Sequence, residues 1–163
     1  MIIERSQPAA ARTPYGAPEI AATLGGVRAE TFNLYAKTKR LLWHMCGSDF
    51  REYRFLLEEQ AEQLFTLTDA ITACMRNLGG IDIRPIDHSD LSHRSIGGDV
   101  DFIAPEEVLA DLRVDNQVLT GSLRSAQAFC QKCGDIVAAS LIDVWIDEAR
   151  RRAWFLFEMA HRV

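Results

Sequence analysis

A chain of 163 residues with 48% hydrophobic and 25% charged side chains is long enough for one domain, burying roughly 70% of the surface its unfolded form exposes. That composition is too mixed for disorder along most of the length. The formal net charge of −5 excludes a uniformly basic surface built for nucleic acid, so any DNA contact needs a local basic segment.

Residues 1–17 hold Pro8, Pro14, several alanines, Arg5 and Arg12 without a period, which predicts a flexible N-terminal arm. The start has neither a basic cluster nor an apolar stretch behind it, and no run of about 18 apolar residues follows, so no export signal or membrane span is expected. The expected location is cytoplasmic. From Glu19, Ile20, Leu24, Val27, Tyr35, Leu42 and Met45 return to one helical face, predicting a first helix to about Cys46. Gly47 ends it, and Ser48 or Asp49 can cap the next. Tyr53, Leu57, Ala61, Leu64, Thr68, Ile71, Met75 and Leu78 carry a second long helix to Gly79-Gly80.

Residues 81–104 are polar, contain Pro85 and Gly97-Gly98, and form the one long connection. Pro105 followed by Glu106 and Glu107 suits the first turn of a third helix, where a proline loses no hydrogen bond and acids favour the dipole. Val108, Leu112, Leu119, Leu123, Ala126 and Cys130 supply its inner face. Gly134 stops it, Asp135 caps the fourth, and Ala138, Leu141, Ile142, Trp145, Ala149, Phe155 and Met159 fill that helix's apolar side. The expected fold is all-α: a ferritin-like four-helix bundle over 18–163, with a long crossover between the second and third helices.

Chemistry-bearing residues admit plain structural readings. Cys46, Cys74 and Cys130 are expected as reduced core thiols. Cys130 and Cys133 have the spacing of a redox pair or half a zinc site, but no second such pair exists, so a structural thiol pair is expected. His88 and His93, with Asp87 and Asp90, could bind a borderline metal but are read first as part of a solvated loop. Arg150, Arg151 and Arg152 fan out over roughly 200° of a helix and are expected to pair with Asp147, Glu148 or a neighbouring subunit.

Three stretches, YAKTKRLLWHMCGSDFREYRFLLEEQ, TDAITACMRNLGG and the last two helices from Glu106 to Ala160, resemble the Dps family of bacterial mini-ferritins over about residues 20–160. The resemblance implies a homo-oligomeric cage, a dodecamer, that protects stressed cells, stores iron and touches DNA. It also implies Fe(II) oxidation by peroxide between two-fold related subunits, at sites of histidine and carboxylate. Carried over residue by residue, the first family histidine falls on Leu42, the second on Arg54 and its acid on Glu58. The later Asp falls on Asp69, and the Glu one turn on falls on Ala73. Glu58 and Asp69 therefore remain as metal ligands, whereas Leu42, Arg54 and Ala73 do not.

Arg54 cannot ligate iron, since a guanidinium only donates, but it can bridge Glu58 and Asp69 or a partner's copies of them. His44 is expected to cap the helix end or meet an interface, and Trp43 to pack. Asp135 matches an acid of the family's iron-entry pore. The reading is a protective cage with weak or absent ferroxidase activity, iron as a ligand it can take but does not require, and weak non-specific DNA binding through Arg5 and Arg12. Two alternatives stand beside it: an active ferroxidase storing ferric iron, and a metal-free subunit that co-assembles with an active relative.

Overall fold

The computed structural model describes residues 16–44, 50–79 and 104–161. Four helices account for nearly all of them: α1 (Ala17–His44), α2 (Phe50–Asn77), α3 (Pro105–Lys132) and α4 (Ile136–Ala160), with no strand among the described residues. None of these helices is long and apolar enough to cross a membrane. The first begins at Ala17, one residue inside the stretch assigned to the arm, because Gly16 at φ 84 turns the chain and its carbonyl accepts from Ile20 N. Arg5, Arg12, Cys46, Gly47, Asp49 and the crossover histidines lie outside the described residues.

Helices α1 and α2 pair, α3 and α4 pair, and α1 also packs on α3. Each expected inner residue of α2 and α3 is buried. Buried Leu34 and Leu41 extend the stripe of α1, and Tyr35 sits half-buried against Phe65 at 5.4 Å between ring centroids. Lys37 joins α1 to α3 through Asp111 and Asp115, both at 2.5 Å.

The junction of α3 and α4 shows how local sequence sets topology. Gly134 adopts φ 76, its N–H donates to Gln131 O, and Asp135 N donates to Cys130 O, so the last carbonyls of α3 are satisfied. Asp135 Oδ1 then accepts from Ala138 N at 2.9 Å and caps α4. Pro105 opens α3, as its sequence requires, behind an Ala104 that offers no side-chain cap.

Three expectations for side chains need correction. Leu141 and Phe155 are exposed, because the inner face of α4 runs through Ala138, Ile142, Trp145, Ala149, Arg152 and Leu156. Arg152 is accordingly buried in the bundle instead of joining a surface cluster, although Arg151 does pair with Asp147 at 2.8 Å. Trp43, expected to pack, is 73% exposed on the single chain.

Candidate functional site

Successive α-helical residues turn by about 100°, so Arg54, Glu58, Asp69 and Ala73 share one face of α2. All four lie on the helix side away from the buried stripe. Arg54 Nε donates to Glu58 Oε1 at 3.0 Å, with the side chains 53% and 40% exposed. Asp69 cannot join this pair within one chain. Fifteen helical residues separate it from Arg54, an axial distance of about 22 Å. Glu58 and Asp69 are likewise about 16 Å apart. Each chain thus carries Glu58 and Asp69 as two separate acidic positions on one exposed face, and among the described residues no three His, Cys, Asp or Glu side chains converge on a metal-sized space.

Leu42 is 4% exposed and belongs to the core. His44 is exposed, and its Nδ1–H donates to Arg40 O at 2.7 Å, closing the last turn of α1. A ring nitrogen facing a carbonyl must carry the proton, which fixes this tautomer. His44 thus caps a helix.

At the other end of the bundle, Cys74, Cys130, Cys133 and Asp135 gather where α2 ends and α3 meets α4. Burial, then the nearby Asp135 carboxylate, push the Cys74 thiol up, and the same causes push Cys130 up to about 11. These are reduced, protonated thiols at neutral pH, consistent with the structural reading; Cys133 is half-buried. Asp135 itself is buried, with one oxygen committed to capping.

Sequence reasoning missed two features. Arg113, Arg124 and Arg150 line a groove of about 360 Å³ between α3 and α4, floored by Trp154 and Phe157, with the Arg113 guanidinium 4.5 Å from the Phe157 ring centroid. The only signal for it was arginine recurring beside aromatic residues on two different helices. The second is the burial of Arg152, which a strict count of three and four from Ala149 would have found.

The model of a ferritin-like domain matches residues 22–163. No curated protein is matched by sequence. Among solved structures, DpsC from Streptomyces coelicolor superposes with a TM-score of 0.81 at 21% identity, over 100% of this chain and 98% of that one. Antigen TpF1 from Treponema pallidum gives 0.77 at 23% identity, over 96% and 99%. The Dps protein of Vibrio cholerae O1, described as a member of a broad superfamily of ferritin-like diiron-carboxylate proteins, gives 0.77 at 20%, over 88% and 89%.

Proposed function

The chain belongs to the ferritin family, and from that premise we propose that it is a Dps-type mini-ferritin subunit whose cage protects without a fast ferroxidase centre. The observation that carries this reading is the exposed face of α2, where two carboxylates keep their register while Arg54 already occupies one of them.

A two-fold axis crossing α2 midway between residues 63 and 64 explains the arrangement. It sets Glu58 opposite the partner subunit's Asp69 and Arg54 opposite the partner subunit's Ala73, since both pairs are centred on that point. A long cation then faces a small residue, and the two acids that would repel each other gain a fixed positive charge. Ferrous iron, as substrate, would compete with that cation for the same oxygens and find no imidazole there: Leu42 is in the core and Arg54 only donates. The remaining donor set fits iron poorly.

Assembly is supported by large apolar side chains left exposed on single chains, Phe55, Phe65, Ile136, Val137, Val144 and Trp154 among them, since patches of this kind mark interfaces. Asp135, one copy per subunit, would place acids near a three-fold entry pore while capping α4. DNA contact is assigned to the arm, where Arg5 and Arg12 contribute little singly and gain only from many copies on one particle.

The test is peroxide-driven oxidation of Fe(II) by the assembled particle at fewer irons than subunits, with particle mass measured in parallel. The reading predicts an assembled particle and an oxidation rate close to that of buffer. A fast phase well above the buffer rate, which consumes the added iron and saturates at one or two irons per subunit when the titration is carried further, establishes the ferroxidase reading in its place.

A further inference from the structure

The inner face of α4 places a guanidinium where its period calls for an aliphatic side chain. Arg152 is 1% exposed, between Ala149 and Leu156 in the buried stripe. Its Nε donates to Asn116 Oδ1 of α3 at 3.0 Å, and its backbone carbonyl accepts from Gln60 Nε2 of α2 at 3.2 Å. Asn116 Nδ2 in turn donates to Leu112 O at 2.9 Å, which fixes the amide so that its oxygen faces Arg152. Gln60 and Asn116 are both buried, so three helices contribute to one polar layer inside the bundle.

That layer is incomplete. Both Nη atoms of Arg152 are buried and have no hydrogen-bond partner among the described residues. A buried donor normally finds an acceptor, because leaving it dry forfeits its hydration with no return. An opposite charge that acts on Arg152 is that of Glu148, one turn earlier and exposed. The acids Asp111 and Asp115 of α3 pair with Lys37 of α1. Burial lowers the Arg152 pKa to about 10, which still leaves the group cationic at neutral pH.

We infer that the polar layer of Gln60, Asn116 and Arg152 is a binding site for one small inorganic anion of halide size, held by the two Nη groups. A carboxylate from another subunit cannot reach a side chain this enclosed. An oxyanion such as sulfate needs more room than a close-packed interior offers, and water would fill the donors but leave the charge uncompensated. Asn116 and Gln60 orient the guanidinium fork, and the anion completes it.

Crystals of the wild-type particle soaked in bromide give the direct test. An anomalous peak against the Arg152 Nη atoms is the expected result; ordinary water density there, with no anomalous signal, overturns the inference. In solution, exchanging gluconate for chloride at matched ionic strength should raise the wild-type melting midpoint by about 3 °C once chloride exceeds its dissociation constant tenfold. Arg152→Met should lose that dependence, and Arg152→Lys, which keeps the charge without the fork, should weaken it. Equal midpoints in the two salts for the wild type contradict the site, and that comparison needs no variant to fold.

Discussion

Asp135 offers a perturbation whose two consequences separate. Its Oδ1 caps α4 through Ala138 N at 2.9 Å in a buried setting, and its charge adds to burial in pushing the Cys74 and Cys130 thiols up. Asp135→Ala removes both effects, whereas Asp135→Asn keeps an oxygen for the cap and removes the charge. Loss of a side-chain cap costs about 1–2 kcal/mol, and in a chain of this size each kcal/mol moves the melting midpoint by about 2–4 °C. The alanine variant should therefore melt about 2–8 °C lower, and the asparagine variant close to the wild type. Calorimetry at one fixed protein concentration gives the first comparison, because subunit association makes the midpoint depend on concentration. Thiolate absorbance against pH gives the second, with Cys130 ionising at lower pH in both variants. Equal destabilisation by alanine and asparagine would refute the capping argument, since the loss would then follow charge.

Further predictions come from the other charged and buried groups. Lys37→Met should destabilise the fold by about 3 kcal/mol, because Asp115 is largely buried and loses its ammonium partner; adding Asp115→Leu to Lys37→Met should recover much of that loss in chemical denaturation. The folded-state pKa of Cys130 lies above its ordinary value of 9.0, at about 11, so the folded chain keeps a proton that the unfolded chain releases. Its contribution is complete below pH 9 and is lost as pH rises towards 11, so Cys130→Ala should flatten the alkaline fall in stability across that window. Arg54→Ala should change the stability of a dissociated chain by no more than about 0.5 kcal/mol, as befits an exposed pair one turn apart. The same change should weaken subunit association, which sedimentation at falling concentration measures; an unchanged particle argues against the seam described for α2.

Much of the fold was legible because its punctuation is local. Gly134 and Asp135 stop one helix and start the next with backbone and carboxylate bonds that their residue types make necessary. The inner stripe of α2, from Tyr53 to Leu78, is pure in period and was read correctly throughout. The stripe of α4 was not, since Phe155 drew the assignment that the spacing from Ala149 gives to Arg152 and Leu156. Three arginines in a row look like surface, and hydrophobicity outweighed count. The candidate site was legible only as a set of positions on one face of α2: the Arg54–Glu58 pair follows from a separation of one turn, while Asp69 lies beyond its reach because a helix is rigid over about 22 Å. Leu42 shows the converse limit, since a residue matched to a ligand position can be recruited by its own core.

The central claim is that the Arg54 guanidinium holds the Glu58 and Asp69 oxygens at the subunit seam in place of iron. A crystal structure of the assembled particle soaked in ferrous salt, with anomalous data at the iron edge, tests it most directly. The account predicts Arg54 seated between Glu58 and the partner subunit's Asp69 with no anomalous peak there. Iron at full occupancy bridging those two acids, with the guanidinium swung away, would contradict it.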